Sequence, residues 1–300
     1  MEHLISFVVD EAPIFQTQAW LLLHNLEQLQ PMARTRVLMV HCGVLRPELR
    51  SKAEQCGALI CKVPRFGDGP AAYCNKLQQF DPVLAAGARH VTMLDTDMAL
   101  LIDPGTLIVN DTVRAKLVDH CNPLRAEFQV VLERAGLGGI SLDHVPEFAP
   151  KHSHNTTHPR NCNGGLYSLP TGILAQLAPL WCKWARFCLD QEPVLGRATL
   201  HSDQMGFAMA MQELAAPFDA LPAEANFPIH FPENAYVNHR NCNPKILHYH
   251  RQLSADGRIV SPDVPAISAA VDEFNAMMLG ARETMDFKHL LSFSHPRILA

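Results

Sequence analysis

The stretch HVTMLDTDM, residues 90–98, joins an apolar run to two carboxylates and decides how the rest of the chain is interpreted. Residues 91–94 predict a buried strand, because a short apolar run suits a strand that is covered on both faces. Asp95 and Asp97 come next, and side chains two apart in an extended chain point to the same side. Both carboxylates can then face one cation, since Mg²⁺ and Mn²⁺ prefer oxygen ligands. The alternative is a pair of turn carboxylates at the end of a strand.

Strands and helices alternate on the N-terminal side of this stretch. Residues 4–9 predict a strand, and an apolar stripe predicts a helix from about Pro13 to Gln30. The next segments continue the alternation, as strand TRVLMVHCG, polar helix RPELRSKAEQC, strand ALICKV and helical YCNKLQQF. This order is typical of an α/β fold with a mostly parallel, Rossmann-like sheet and helices on both faces.

Several polar residues follow the predicted strands directly. They are Asp10, the pair Cys42–Gly43, and residues 95–97. Ligands of open α/β sheets bind outside the carboxyl ends of the strands. We therefore expect these residues to line a ligand site at one edge of the sheet.

The alternation is weaker on the C-terminal side. A mixed region to about Ala149 precedes the strand GLYSLP, helices are predicted at 171–189 and from about 202 to 214, and the strand KILHYH precedes a C-terminal helix. No Pro/Gly/Ser-rich linker interrupts the chain, so we expect a single domain. Its expected parts are a nucleotide-binding half at 1–105, an acceptor and sugar half at 106–260, and a helical tail at 261–300.

The composition excludes several classes of protein. With 300 residues, 48% of them hydrophobic and 18% charged, the chain suits a soluble globular protein. Its net charge of -5, without clustered Lys and Arg, argues against a surface that binds nucleic acid. The nine cysteines include no Cys-x-x-Cys pair, which favours reduced, buried thiols. HLISFVVDE does not read as a signal peptide and no apolar run reaches membrane-spanning length, so we expect a cytoplasmic protein.

Six short segments follow one another along the chain: FVVDE, YCNKLQ, TMLDTDMAL, CNGGLYSLP, HSDQMGFAM and KILHYH. In sequence and order they resemble the motifs of the GT-A glycosyltransferases, most closely the group that contains glycogenin and the bacterial lipopolysaccharide galactosyltransferases. They span residues 4–250. The resemblance implies a GT-A fold and a nucleotide-sugar donor.

The resemblance also implies a set of residues that bind this donor. Asp10 would contact the nucleoside, and Lys76 would stand near the diphosphate as a point charge. Asn163 would bind a sugar hydroxyl, while Gly164 lets the backbone approach the donor closely. Each has a structural alternative: Asp10 as a cap for the helix near Pro13, Lys76 as a solvated helix residue, and Asn163 as part of a turn.

By the same resemblance, Asp203 and Gln204 lie beside the anomeric carbon. Asp203 also suits the start of any helix, because a carboxylate there meets free amides. His248 would join Asp95 and Asp97 as the third ligand of Mn²⁺ or Mg²⁺, and its imidazole favours Mn²⁺. A hydrogen-bonded core histidine is the alternative.

The chain departs from the family after this histidine. The family has Lys-Pro-Trp there, with a lysine on the diphosphate, whereas this chain reads HYHRQL, so Arg251 is a substitute. His250 shares the face of His248 but has no counterpart in the motif. His152, His154 and His158 form a loop that suits either an acceptor contact or, less well, a zinc site, since their spacing fits no standard one.

The expected function is metal-dependent transfer of a hexosyl group from a nucleoside-diphosphate sugar, with UDP favoured, to a hydroxyl acceptor. Retention of configuration follows from the resemblance. A noncatalytic nucleotide-sugar or metal-binding protein remains open. So does a metal-dependent nucleotidyltransferase, although FVVDEAP lacks the glycine-rich phosphate loop that such enzymes use.

Overall fold

The computed structural model describes residues 2–29, 35–148 and 155–280. The strands in these ranges are β1 (His3–Val9), β2 (Thr35–Cys42), β3 (Leu59–Val63), β4 (His90–Leu94), β5 (Met98–Leu100), β6 (Val113–Leu117), β7 (Cys162–Pro170), β8 (Phe218–Ala220), β9 (Phe227–Pro228) and β10 (Ile246–His248). The α-helices are α1 (Pro13–Leu29), α2 (Pro47–Gln55), α3 (Phe80–Ala85), α4 (Arg125–Arg134), α5 (Thr171–Leu189), α6 (Glu192–Leu195), α7 (Ser202–Leu214) and α8 (Pro265–Met277).

Seven strands form the main sheet, in the order β3-β2-β1-β4-β7-β6-β8. Strands β1 to β4 run parallel, β7 is antiparallel to both of its neighbours, and β8 is parallel to β6. A second sheet of three strands has the order β5-β10-β9. The predicted α/β fold with a mostly parallel sheet is confirmed.

The main sheet is covered on both faces, as the apolar strands predict. In β1, Leu4 packs into one hydrophobic core while Ile5 and Phe7 pack into the other. The Leu4 core contains residues of α5 and α7, and the Ile5 core contains residues of α1 and α8. A strand buried on both faces needs apolar residues at successive positions, which explains the continuous run in β1.

The stretch HVTMLDTDM is not one strand in the structure. Strand β4 ends at Leu94, residues 95–97 form a turn, and β5 starts at Met98. The break follows from a change of partner: β4 pairs with β7, whereas β5 pairs with β10 in the second sheet. The turn therefore lies at the junction between the two sheets.

Two other elements differ in detail from the expectation. YCNKLQQF lies in a 3₁₀ helix, Gly69–Gln79, which continues into α3. KILHYH is extended only to His248, and His250 has a positive φ of 49°. The predicted end of the first helix, Gln30, lies outside the described residues, as does Ala149. Within the described residues, no helix has both the length and the hydrophobicity that crossing a bilayer requires.

Helices α5 and α7 cross where α7 has no side chain. A Cβ on Gly206 would lie 2.7 Å from the Ala185 backbone nitrogen, so the crossing requires glycine. We predict that Gly206→Ala lowers the free energy of unfolding by about 1–3 kcal/mol through overpacking. Gly172→Ala, in the first turn of α5 where a Cβ meets open space, leaves it unchanged or slightly higher. Urea unfolding of both variants measures this difference. Equal stabilities would contradict the claim that the crossing of α5 and α7 requires glycine at position 206.

Candidate active site

The carboxyl ends of β1 and β4 meet where the strand order of the main sheet reverses. β1 lies between β2 and β4, and the chain leaves β1 at Asp10 and β4 at Asp95. Such a reversal opens a crevice in parallel sheets, because the connections leave on opposite faces. Asp10 and Asp95 are therefore at the edge where the sequence predicted a ligand site.

Asp10 is held by side chains from the segment between β3 and α3. Asn75 Nδ2 donates to Asp10 Oδ2 (2.8 Å), and Arg65 lies 3.5 Å from Asp10 Oδ1. Beside them is an open pocket of about 570 Å³. Its lining residues include Asp10, Gln16, Val44, Arg46 and Arg65. Two arginines and two carboxylates, Asp10 and Glu11, give this pocket donors and acceptors for a polar ligand.

Lys76 connects three elements through one ammonium group. Its Nζ lies 2.8 Å from Asp95 Oδ1 and 3.3 Å from Asp203 Oδ2, and it donates to the Gly164 carbonyl oxygen (3.1 Å). The side chain of Asp203 is 3% exposed and that of Lys76 is 18% exposed. Burial opposes the charge on Lys76, but the two carboxylates outweigh it and raise the pKa of this lysine.

The Asn-Gly-Gly segment starts β7 and fits between two polar groups. A Cβ on Gly164 would lie 2.4 Å from Lys76 Nζ, and one on Gly165 would lie 2.8 Å from His248 Nδ1. Any larger residue at either position would displace these side chains. The two glycines thus allow the backbone of β7 to approach both Lys76 and His248.

Asp97 faces two histidines rather than Lys76. Its Oδ1 lies 3.3 Å from His248 Nε2, and its Oδ2 lies 3.7 Å from His250 Nδ1. Their ligand atoms all lie within 4.8 Å of one another, and no further group of three His, Cys, Asp or Glu side chains meets that condition in the described part of the chain. Asp95 and Asp97 thus have different partners.

The electrostatics of Asp97 and His248 favour an ion pair. Burial would raise the pKa of Asp97, but His248 and His250 lower it to about 2. Burial likewise opposes protonation of His248, and the charge of Asp97 outweighs it and raises the pKa of this histidine. A buried carboxylate held ionised between two imidazoles is a chemically suitable cation ligand.

Backbone pairing fixes the position of His248. In the β5–β10 ladder His248 is opposite Met98, and the Tyr249 amide donates to the Asp97 carbonyl oxygen (3.0 Å). Gln18 of α1 adds a second anchor: its Nε2 donates to the His250 carbonyl oxygen (2.6 Å), and its Oε1 accepts from the Thr96 hydroxyl (3.3 Å). Both sides of the cluster are therefore tied to the main fold.

Asn163 belongs to a buried polar network that the sequence did not reveal. Its Nδ2 donates to Asp119 Oδ2 (2.7 Å), and its Oδ1 accepts from Asn226 Nδ2 (3.1 Å) and the Gly165 amide (2.9 Å). Asp119 is also paired with Lys116. The network sets the orientation of the Asn163 amide.

The remaining predicted residues have distinct places. Asp203 and Gln204 are in the first turn of α7, and Trp181 Nε1 donates to the Asp203 carbonyl oxygen (2.6 Å). Arg251 is exposed in the turn after His250. His158 is buried, and His152 and His154 lie outside the described residues. All nine cysteines are free; only four are buried (Cys42, Cys74, Cys162 and Cys188) and the other five are partly exposed, so the thiols are less buried than the sequence led us to expect.

Two residues of this region, Gln18 and Asp119, escaped sequence reasoning, and His250 was noted there without a role. His250 had a signal, since it is two residues from His248 and follows a strand. Asp119 follows an irregular stretch without a motif, and Gln18 lies in the middle of an apolar helix. Only the tertiary structure shows their contacts.

Comparison with known proteins shows the fold. No protein family and no curated protein matches the sequence. An active-site mutant of LgtC is 13% identical, with a TM-score of 0.57, and the match covers 93% of this chain and 95% of that one. The galactosyltransferase LgtC in complex with donor and acceptor sugar analogues is 14% identical (TM-score 0.50; 91% and 94% covered), and the bifunctional WbbM is 10% identical (TM-score 0.50; 95% and 52% covered). These likenesses show that the chain has the fold of GT-A glycosyltransferases.

The Lys76 contacts give a stability prediction. Lys76→Met leaves Asp95 and Asp203 without their common counter-ion, so we expect the free energy of unfolding at neutral pH to fall by about 3 kcal/mol. The double variant Lys76→Met/Asp95→Asn removes one of the two charges and recovers part of this loss. Denaturant unfolding measures both, with Lys62→Met on exposed β3 as the control, expected within about 0.5 kcal/mol of wild type. A Lys76→Met protein as stable as wild type would show that Lys76 is not the counter-ion that stabilises Asp95 and Asp203.

Proposed function

We propose that this protein transfers a hexosyl group from a nucleoside-diphosphate sugar, with UDP favoured, to a hydroxyl acceptor, and that a divalent cation assists the reaction. The observation that carries the proposal is the convergence of the Asp10 pocket, the Lys76 contacts and the Asp97–His248 pair at the reversal of strand order. The likeness of the fold to LgtC in complex with donor and acceptor sugar analogues supports it.

The nucleoside would bind in the open pocket beside Asp10. Asn75 donates to Asp10, and the next residue, Lys76, pairs with Asp95. One 3₁₀ helix therefore contacts both the pocket beside Asp10 and the turn after β4. Asp10 offers acceptor oxygens to a ribose hydroxyl or a base N–H. The hydrogen bond from Asn75 orients that carboxylate, and Arg65 lies beside it.

The donor atoms at the other end of the site fit a divalent cation. The predicted ligands are Asp95, Asp97 and His248, and the Asp97–His248 distance of 3.3 Å supports two of them directly. Both oxygens of Asp95 contact Lys76 Nζ, so Asp95 would have to share its carboxylate with that ammonium group to serve as a ligand. Such a cation, Mn²⁺ or Mg²⁺, supplies charge that stabilises the leaving diphosphate.

The hexose would lie against the start of β7 and the first turn of α7. Gly164 leaves room at the backbone, and Asn163, Asp203 and Gln204 supply polar groups for sugar hydroxyls. Arg251, exposed next to His250, is the candidate diphosphate contact in place of the family's lysine. These residues bind and orient the donor.

Retention of configuration agrees with the state of the buried acids. An inverting enzyme needs a carboxylate that is free to take the proton of the acceptor hydroxyl. Asp119 is paired with Lys116, and Asp203 is paired with Lys76. Neither carboxylate is free for that role, which favours the retaining reaction.

Turnover without an acceptor separates this enzyme from a noncatalytic binding protein. We predict slow, Mn²⁺-dependent release of UDP from a UDP-hexose, measured by chromatography, which a chelator abolishes and added Mn²⁺ restores. Asp97→Asn lowers the rate at least about 100-fold, because it weakens the charge that stabilises the leaving group.

The matched control is Asp272→Asn, which removes an exposed carboxylate of α8 and leaves the rate unchanged. Nucleotide binding without turnover of any donor sugar would favour the noncatalytic protein. Attack at the α-phosphate, seen as nucleoside monophosphate transfer, would instead indicate a nucleotidyltransferase.

A further inference from the structure

His250 and His248 present two imidazoles to the two oxygens of one carboxylate. Nε2 of His248 lies 3.3 Å from Asp97 Oδ1, and Nδ1 of His250 lies 3.7 Å from Asp97 Oδ2. The imidazole rings are stacked, with centroids 3.9 Å apart and planes inclined by 20°. Both nitrogens therefore lie on the same side of the cluster as Asp97.

These separations match those of ligands that share one metal ion. Bonds of about 2.1 Å place neighbouring ligand atoms about 3.0 Å apart in octahedral geometry and about 3.4 Å apart in tetrahedral geometry. The two Asp97 distances require little movement to reach these values. Residues from two strands of the second sheet and the turns beside them thus form a cluster of metal-binding size.

The two histidines approach Asp97 with one ring nitrogen each. The far nitrogens, His248 Nδ1 and His250 Nε2, are buried and have no hydrogen-bond partner among the described residues. Here, Asp97 is the charged group that both rings face.

The backbone at His250 adopts a left-handed conformation just after β10 ends at His248. Its φ of 49° is unfavourable for a residue with a Cβ, and such strain concentrates at functional sites. Buried Gln18 maintains it through the 2.6 Å hydrogen bond to the His250 carbonyl oxygen. The turn places the His250 ring beside that of His248 instead of continuing β10.

Asp95 is less available for a cation than the Asp-x-Asp pattern suggests. Its carboxylate contacts Lys76 Nζ through both oxygens, at 2.8 and 3.1 Å. Sharing it with a cation would bring a second positive charge close to a buried ammonium group. Asp97 has imidazoles as its partners in place of an ammonium group.

We propose that the divalent cation of this protein is bound by Asp97, His248 and His250, with His250 taking the ligand position that the sequence pattern assigns to Asp95. The inference rests on the proposed function for the presence of the cation. It adds a ligand set of two imidazoles and one carboxylate, which favours Mn²⁺, Fe²⁺, Co²⁺ or Zn²⁺ over Mg²⁺, since Mg²⁺ prefers an all-oxygen shell.

Cobalt binding tests this ligand set without reference to turnover. Co²⁺ is titrated into the purified 300-residue protein, and its visible absorption and the heat of binding are recorded. His250→Asn removes the imidazole but keeps a residue that tolerates positive φ, so the fold is retained, as circular dichroism and the melting temperature verify. We expect this variant to bind Co²⁺ at least about tenfold more weakly and with an altered spectrum.

Two further variants complete the test. Asp95→Asn is expected to change Co²⁺ affinity less than about threefold. His230→Asn is the matched control: it removes an imidazole that contacts the His250 ring (centroids 4.0 Å apart) but is not part of the three-residue cluster, and it keeps wild-type affinity. Mg²⁺ at millimolar concentration should fail to displace Co²⁺.

Several outcomes would overturn the inference. They are wild-type Co²⁺ affinity and spectrum in His250→Asn, a loss in Asp95→Asn as large as that in Asp97→Asn, or no Co²⁺ binding by the wild-type protein. The proposed function can be judged separately. Co²⁺ binding through His250 without turnover of any nucleotide sugar would reject the function alone, and Mn²⁺-dependent turnover that His250→Asn leaves intact would reject the ligand set alone.

Discussion

The ammonium group of Lys76 organises the site. It binds Asp95 at the end of β4, Asp203 at the start of α7 and the Gly164 carbonyl oxygen in β7. A mostly buried lysine in such a place needs at least one carboxylate, because an unpaired charge there would be strongly unfavourable. With two carboxylates and a carbonyl, its three donors are satisfied, and three distant segments of the chain acquire fixed positions.

This interaction divides the polar residues of the crevice into two groups. Asp95 and Asp203 pair with Lys76, while Asp97 pairs with His248 and His250. The glycines of β7 separate the groups, since Gly164 lies against the first and Gly165 against the second. A donor bound across this region would meet sugar-orienting groups on one side and a cation on the other.

Much of the fold was predictable, because local patterns determine it. The apolar runs of β1, β2 and β4 and the helical pattern of α5 contain enough periodicity to identify each element, and the alternation implies the parallel order. The contacts of the site were less predictable. Lys76 and Asp203 are 127 positions apart in sequence, and no motif states that they pair. The split of HVTMLDTDM also depends on a strand pairing that only the folded chain reveals.

The account is tested most directly by nucleotide binding. The melting temperature of the protein is measured with UDP and with UDP-hexoses, each with and without Mn²⁺. A ligand at a hundred times its dissociation constant adds about 2.7 kcal/mol of stability, which shifts the melting temperature of a chain of this size by about 5 °C. The account predicts such a shift for UDP with Mn²⁺ and a much smaller one for either alone. No stabilisation by any nucleoside diphosphate or its sugar, with or without Mn²⁺, would contradict it.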